Sequence, residues 1–257
     1  QDIVQLDMWG PKREEMWTAI KDVMDTWIDR GVKIFRVDNP HTKPPAFWQW
    51  LIESVHEEHP DVVFLSEAFA RPKKQDLYAK LGFSQSYTYF TWKNSRSELE
   101  GFMKDVVASS DYFRPNFFAN TPDILPEYLQ TGGKAAFEVR YALAATMSPS
   151  AGIYSGFELC EGDALKGEDY LDSEKYEVRP RDYDAPGNIK DWIAKVNFIT
   201  HANPSLQDLT NFRLHDPDNQ NVIAFSKSTP SGDNKILVVA NLGRHNTQET
   251  TVHVDGP

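Results

Sequence analysis

The stretch that decides the fold is Gly31-Val32-Lys33-Ile34-Phe35-Arg36-Val37-Asp38-Asn39-Pro40. A glycine stops whatever precedes it, a run rich in β-branched and aromatic side chains follows, and an acid closes that run before an Asn-Pro turn. Upstream, Met16, Ile20, Val23, Met24, Trp27 and Ile28 recur at helical spacing, with Lys21, Asp22, Asp25 and Asp29 on the other side. Downstream, Pro44-Pro45 opens a second helix carrying Phe47, Trp48, Trp50, Leu51, Ile52 and Val55, and Pro60 stops it. Asp61-Val62-Val63-Phe64-Leu65-Ser66 then reads as another short apolar strand. Helices alternating with near-continuous apolar strands indicate an α/β protein with a parallel sheet covered by helices.

The rhythm continues along the chain. Residues 84–90 read as an aromatic strand, 97–108 as an amphipathic helix, 116–120 as a strand, 134–147 as a long helix and 151–154 as a fifth strand. A loop rich in Gly, Glu and Asp comes next, and Ile189, Trp192, Ile193, Val196 and Ile199 mark one more helix. After Asn211 the pattern changes. Val222-Ile223-Ala224-Phe225 and Ile236-Leu237-Val238-Val239-Ala240 flank the turn residues Ser231-Gly232-Asp233-Asn234, which predicts a β-hairpin with no helix between its strands. A closed (β/α)8 barrel needs eight strands and about 250 residues, and only about five parallel strands precede the hairpin. The expectation is therefore the carboxyl-terminal part of a TIM barrel over residues 1–205, about its strands 4 to 8. The start of a small C-terminal β-sandwich domain then occupies 206–257, and the whole reads as a segment of a larger protein cut at both ends.

Composition narrows the function classes. The 257 residues include 38 acidic and 27 basic side chains, a formal charge of −11, with 40% hydrophobic and 12% aromatic residues. That supplies a core and argues against disorder, and the acidic balance argues against nucleic acid or an anionic membrane as partner. No apolar run approaches the roughly 18 residues that span a bilayer. The single cysteine, Cys160, excludes an internal disulfide and fits a reducing, cytoplasmic compartment. His56-Glu57-Glu58-His59 has the residue types of a metal site, but it sits at a polar helix end with no second ligand cluster nearby, so no metal is expected.

The residues that could carry chemistry are acids at strand ends. Asp38 ends the first strand, Glu67 ends Phe64-Leu65-Ser66-Glu67, and Asp123 follows Phe117-Phe118-Ala119-Asn120-Thr121-Pro122. In parallel α/β folds, ligands sit at the carboxyl ends of strands, so residues distant in sequence converge there. Side chains alternate along a strand, so Arg36 shares a face with Asp38 and favours its ionised form. Glycosyl transfer wants such a set: an ionised carboxylate to attack the anomeric carbon and a protonated one to deliver a proton to the leaving oxygen, roughly 5 Å apart. Structural capping of the strands remains open for the same residues.

These motifs resemble those of the α-amylase superfamily, glycoside hydrolase family 13. The variants Asp38-Asn39-Pro40-His41-Thr42-Lys43-Pro44, Gln85-Ser86-Tyr87-Thr88-Tyr89-Phe90-Thr91-Trp92, Asn120-Thr121-Pro122-Asp123-Ile124-Leu125 and Gly152-Ile153-Tyr154-Ser155-Gly156-Phe157-Glu158 are similar to one branch, the bacterial α-1,4-glucan:maltose-1-phosphate maltosyltransferases. Ser173-Glu174-Lys175-Tyr176 and Pro186-Gly187-Asn188-Ile189 fit the same branch. The resemblance implies a retaining transferase that moves maltosyl units from α-maltose 1-phosphate to the non-reducing end of an α-1,4-glucan such as glycogen. Asp38 would be the nucleophile, Glu67 the acid/base, Asp123 the transition-state stabiliser and Arg36 the residue that orients the nucleophile. Asn39, Lys175 and Tyr176 match donor-site positions, and a compact lysine cation suits a phosphate. No cofactor is implied, and the resemblance admits a homodimer built through regions outside these residues. Pro122 stands where typical amylases carry a histidine, a feature of this branch, and the superfamily motif of the third barrel strand has no counterpart here.

Two other functions remain open on the sequence: an α-glucan hydrolase or transglycosidase of the α-amylase type, and a non-catalytic glucan-binding polypeptide. Trp48, Trp50 and Trp192 lie on helix faces suited to a core, whereas Tyr87, Tyr89 and Trp92 surround a strand end where stacking on a sugar and ordinary packing both fit. His41 is placed either to touch a substrate hydroxyl or to make a structural hydrogen bond. Cys160 has no basic flank to activate a thiolate and reads as inert.

Overall fold

Gly31 behaves as its position demands. Helix α1 spans Arg13–Asp29, and Gly31 follows at φ 96° with its N–H donating to the Ile28 carbonyl at 2.8 Å. Glycine takes that left-handed conformation without the Cβ strain other residues incur. The protein was analysed as a computed structural model that describes residues 6–171 and 178–254. The chain forms two compact units, Gln1–Thr88 with Asp111–Pro115, and Tyr89–Ser110 with Asn116–Pro257.

In the first unit, β1 (Ile34–Asp38), α2 (Pro45–Glu58), β2 (Val63–Glu67), α3 (Pro72–Lys80) and β3 (Gln85–Tyr87) follow α1. β1 and β2 pair in parallel from Ile34↔Val63 to Asp38↔Glu67, and β2 pairs in parallel with β3. Proline opens α2 in its first turn, where its missing N–H would have had no helical partner. Phe47, Leu51 and Val55 of α2 bury against Phe64 of β2 and Tyr78 of α3. Phe35 and Val37 pack against the same cluster, so Arg36 and Asp38 lie on the opposite face of β1. Helix α3 is absent from the sequence expectation because Lys73, Lys74, Asp76 and Lys80 mask a narrow stripe of Gln75, Tyr78 and Ala79, the residues it buries. β3 is shorter than the expected strand over 84–90. The chain turns instead into a 3-10 helix at Tyr89–Trp92 that buries Phe90 and Thr91.

The second unit begins with α4 (Arg96–Ala108), whose start is fixed by a capping box. Ser95 accepts from the Glu98 N–H, and the Glu98 carboxylate accepts in return from the Ser95 N–H. β4 (Pro115–Phe118), α5 (Glu127–Met147) and β5 (Ala151–Gly152) follow, with β4 and β5 parallel at Phe117↔Ala151. Gly133 at φ 56° breaks α5, so the helix expected from Lys134 is its second segment. The acidic loop contains a small hairpin, β6 (Ala164–Lys166) and β7 (Asp169–Tyr170), and α6 (Lys190–Ala202) closes the helical part. β8 (Phe212–Pro217), β9 (Val222–Ser228), β10 (Lys235–Asn241) and β11 (Val252–His253) form an antiparallel sheet ordered β10-β9-β8-β11. The β9–β10 hairpin is the one the sequence predicts, whereas β8 hides behind Arg213, His215 and Asp216. None of the described helices is long and apolar enough to cross a membrane.

The core of this unit is aromatic. Phe90 stacks on Phe117 at 4.6 Å, with Leu99, Met103, Leu143, Met147, Ile223 and Phe225 buried around them. Arg140 of α5 is buried within the unit. Its guanidinium donates to the carbonyls of Lys93 and Phe90, each at 2.6 Å, and lies 4.0 Å over the Phe90 ring. Burial lowers its pKa to about 10, so it stays charged at neutral pH. It holds the turn between Phe90 and Lys93 against α5. Arg140→Met keeps the bulk but removes both hydrogen bonds that tie this turn to α5, a cost of about 2 kcal/mol. A lowered urea midpoint with an unchanged slope is the expected result.

Candidate active site

Two parallel strands end in acids at the same register position. Asp38 closes β1, Glu67 closes β2, and the two are Cα partners. Adjacent strands lie about 4.8 Å apart, so both carboxyl groups leave the sheet side by side at one end. Two carboxylates this close repel unless something intervenes. Arg36, two residues back on the same face, donates from Nη1 to Asp38 Oδ1 at 3.1 Å and from Nη2 to Glu67 Oε1 at 2.6 Å. The two carboxyl groups also share a hydrogen bond, which requires a proton on one of them.

Burial decides which one. Glu67 is 6% exposed, while the Asp38 side chain is 69% exposed. Desolvation, and then the hydrogen bond to Asp38, push Glu67 up to about 7 against the opposing pull of Arg36. Asp38 is held below the usual aspartate range, first by the hydrogen bond from Glu67 and then by Arg36 and Asn39, despite partial desolvation. Arg36 lowers it as the sequence leads one to expect, through both its charge and its hydrogen bond, and the hydrogen bond from Glu67 adds to that. At neutral pH the pair thus presents an ionised aspartate beside a glutamic acid that still holds its proton about half of the time, the split that acid/base and nucleophilic roles require. Register partners on adjacent strands, both held by one guanidinium, stand close enough for the paired carboxyl groups that retaining chemistry uses.

The loops behind the acids are fixed by Asn39, which touches both acids, and by side chains that touch neither. Asn39 adopts a left-handed conformation (φ 45°, ψ 50°), which asparagine tolerates better than most residues. Its N–H reaches Glu67 Oε2 and its amide reaches Asp38 Oδ1, both at 3.4 Å. Trp48 Nε1 donates to the Pro40 carbonyl at 2.9 Å, and Lys74 Nζ donates to the His41 carbonyl at 2.8 Å. Gln75 Nε2 donates to the Ala68 carbonyl at 2.8 Å, securing the turn after Glu67. The sequence reading missed Lys74 and Gln75 because it missed α3; the Pro72 that opens the helix was the available signal. His41 has a buried Nδ1 with no hydrogen-bond partner among the described residues, and burial followed by the charge of Lys74 lowers its pKa. Tyr87 lies beside Arg36, whose guanidinium carbon is 5.9 Å from the ring centroid, and contacts Phe69 at 6.4 Å.

Asp38, Glu67, Arg36 and Asn39 are therefore brought together in the first unit. Asp123 lies in the second unit, exposed on a tight turn in which its N–H donates to Thr121 Oγ1 at 3.3 Å and Thr121 bridges Ile124. Lys175 and Tyr176 lie outside the described residues. Trp48, Trp50 and Trp192 have packing roles: Trp50 stands 5.7 Å from Trp17, and Trp192 Nε1 donates to the Glu138 carbonyl. Trp92 Nε1 donates to Glu168 at 2.7 Å, and its ring lies 5.4 Å from Tyr89. His56 hydrogen-bonds the Val62 carbonyl at 2.9 Å and packs edge-on against Phe64. No cluster of metal-ligating side chains occurs among the described residues. Burial pushes the Cys160 thiol up to about 11, which suppresses thiolate chemistry.

Solved structures with a similar fold include α-amylases. The chain aligns with the enzyme of Geobacillus thermoleovorans complexed with acarbose at a TM-score of 0.72 and 16% identity, covering 91% of this chain and 54% of that one. It aligns with an Anoxybacillus α-amylase at 0.74 and 18%, covering 90% and 53%. The fold is thus the carboxyl-terminal part of an α-amylase-type (β/α)8 barrel followed by a small antiparallel β-sheet. Within that class, the resemblance to the bacterial α-1,4-glucan:maltose-1-phosphate maltosyltransferases holds over nearly the whole chain. The protein of that name from Rhodospirillum rubrum is 53% identical over 248 residues, and that from Myxococcus xanthus is 48% identical over 257. Those alignments cover 95% and 99% of this chain but 36% and 39% of the relatives, so the chain spans under two fifths of their length. A family model described as GLGE, C-terminal, matches residues 214–257.

The raised pKa of Glu67 has a measurable sign. Between the usual glutamate range and about 7, the folded chain holds a proton that the unfolded chain has released. Stability at this site is therefore lost as pH rises through that window. Glu67→Gln stays neutral throughout, so its melting temperature should exceed that of the wild type at pH 8 and match it near pH 4.5. Equal temperatures at pH 8 would mean that Glu67 ionises normally.

Proposed function

We propose that the protein of which this chain is a part moves maltosyl units from α-maltose 1-phosphate to the non-reducing end of α-1,4-glucans, with retention and release of phosphate. The observation that carries the reading is the Asp38–Glu67 pair: in register on adjacent strands, bridged by Arg36, with pKa shifts of opposite sign. The extensive likeness to proteins named for this activity supports it.

In the first step an Asp38 oxygen bonds to the anomeric carbon, the bond from that carbon to the phosphate oxygen breaks, and the Glu67 proton passes to that oxygen. In the second step the 4-hydroxyl oxygen of the acceptor attacks the same carbon. The ester to Asp38 breaks, and Glu67, now a carboxylate, takes the hydroxyl proton. Each half-reaction leaves Glu67 in the state the other needs. Asp123 stabilises the positive charge that develops on the sugar, and Asn39, Lys175 and Tyr176 bind the donor, the latter two near the phosphate. We further read 206–257 as the start of a β-sandwich domain, the protein as cytoplasmic, and any homodimer as formed through regions outside this chain.

The test uses the full-length protein with maltose 1-phosphate and glycogen. Phosphate should appear and acceptor chains should lengthen in steps of two glucose units; cleavage of maltodextrin without phosphate turnover would favour an amylase-type hydrolase instead. Asp38→Asn removes the nucleophile and should lower turnover by at least about a thousandfold, on the scale of losing a general acid or nucleophile. Rate against pH should fall on the alkaline side through about 7, as Glu67 loses the proton it must deliver. The acid limb should lie below the usual aspartate range, because Asp38 stays ionised there.

A further inference from the structure

Asp123 stands at the corner of a turn whose ends are buried and whose tip is not. The Thr121 N–H donates to the Ile124 carbonyl at 3.1 Å and the Ile124 N–H to the Thr121 carbonyl at 3.2 Å, so Pro122 and Asp123 take the two corner positions. Proline presets the first of these because its ring fixes φ. Thr121 and Ile124 are buried while Pro122 and Asp123 are exposed. The direction of the Asp123 carboxylate therefore follows the tilt of the turn as a whole, and that tilt is set where the turn is anchored.

The β6–β7 hairpin supplies the anchors. Its strands are only three and two residues long and pair irregularly, too little to stand alone. Gly167, at φ 61°, and Glu168 form its turn. The Glu168 carbonyl accepts from the Leu125 N–H at 2.8 Å, one residue past the Asp123 turn. Gln130 Nε2 donates to the Leu125 and Gly167 carbonyls, each at 2.8 Å, and so ties both segments to α5. The other anchor is Asn120, which is 1% exposed and lies just before the turn. Its Oδ1 accepts from the Tyr154 N–H at 2.8 Å, and because a backbone N–H can only donate, that bond fixes which way the amide points. Nδ2 is thereby aimed at the Tyr170 hydroxyl, to which it donates. Tyr170 ends β7, is buried, and stands edge-on to Tyr154 at 5.4 Å. Burial pushes its hydroxyl far above the usual tyrosine range, so it stays a neutral partner.

We infer that Asn120 and Tyr170 are positioning residues for Asp123: their hydrogen bond clamps the β6–β7 hairpin to the chain just past β4 and sets the angle at which the third acid is presented. The role of Asp123 rests on the reaction proposed above. A carboxylate that stabilises charge developing on a sugar must be aimed before that charge appears, since a group that has to reorient loses much of its effect. An acid on an exposed corner is not aimed by packing of its own side chain, so its aim comes from the backbone behind it. The hairpin acts through residues 120–125 and needs no contact with the sugar.

The test is a double-mutant cycle in the full-length protein, read by phosphate release from maltose 1-phosphate with glycogen as acceptor. Tyr170→Phe keeps the ring against Tyr154 and removes only the hydroxyl. It should lower kcat about tenfold or more, the scale of a small misplacement at a reacting centre, while KM for the donor stays within about twofold. Asn120→Leu should reproduce the loss; if it fails to fold, Tyr170→Phe decides alone. In an Asp123→Asn background, where the charge to be aimed is gone, Tyr170→Phe should cost nothing further. Wild-type kcat in Tyr170→Phe would overturn the inference. So would an equal fractional loss in both backgrounds, which marks a general loosening of the unit. The reaction is read separately: a wild type that releases no phosphate but cleaves maltoheptaose loses the proposed donor, and the same cycle run on maltoheptaose still decides the inference.

Discussion

Everything at the carboxyl end of the β1–β2 pair depends on Arg36 holding two acids that would otherwise repel. Parallel pairing sets Asp38 opposite Glu67, and no rotamer choice alone relieves two negative charges so near each other. One guanidinium reaches both, through different nitrogens, because its planar fork spans the strand spacing. A lysine could neutralise the charge but not fix two carboxyl groups in one geometry. The remaining repulsion is removed by keeping a proton on the more buried acid. The asymmetry of the pair thus follows from a difference in burial, not from the residue types.

That asymmetry is assembled from elements of quite different kinds. The face of Arg36 and Asp38 comes from strand alternation, and Phe35 and Val37 enforce it by packing into the core. Burial of Glu67 comes from its place on β2, the middle strand of the parallel set β1, β2 and β3. The turn after each acid is held from outside: Trp48 grips Pro40, and Gln75 grips Ala68. Asn39 joins the two turns, since its backbone reaches one acid and its side chain the other. Its left-handed conformation is a local cost offset by these contacts.

Much of this was legible in the chain. Strands β1 and β2 and helices α1, α2, α4 and α6 follow from periodicity and punctuation, by Gly or Pro for most and by the Ser95–Glu98 capping box for α4. The elements that escaped are those whose buried faces are narrow or polar. Helix α3 buries Gln75, and β8 buries His215, so neither has an apolar pattern to read. β3 ends early because Phe90 and Thr91 find burial in a 3-10 turn, a tertiary preference that overrides the strand propensity of their neighbours. At the site, the acids and Arg36 could be named from strand ends alone. The link from Arg36 to Glu67 could not, because it depends on the register that sets Asp38 opposite Glu67, which composition does not encode.

The shared proton also constrains how a substrate could enter. A hydrogen bond between Asp38 and Glu67 occupies the lone pair that a nucleophile needs and the proton that a leaving group needs. On the proposed reaction, a sugar seated between the two strand ends must replace that bond with two others, one to its anomeric carbon and one to its exocyclic oxygen. Arg36 contacts each acid by a separate nitrogen, so it can keep both while the bond between them opens. Electrostatics then change little, since the same cation faces the same pair before and after. What changes is solvent: a ring that covers the exposed Asp38 carboxylate removes it from water and strengthens every charge interaction around it. A carboxylate left this accessible without substrate gains most from being covered, and that gain favours the nucleophile only once the sugar is in place.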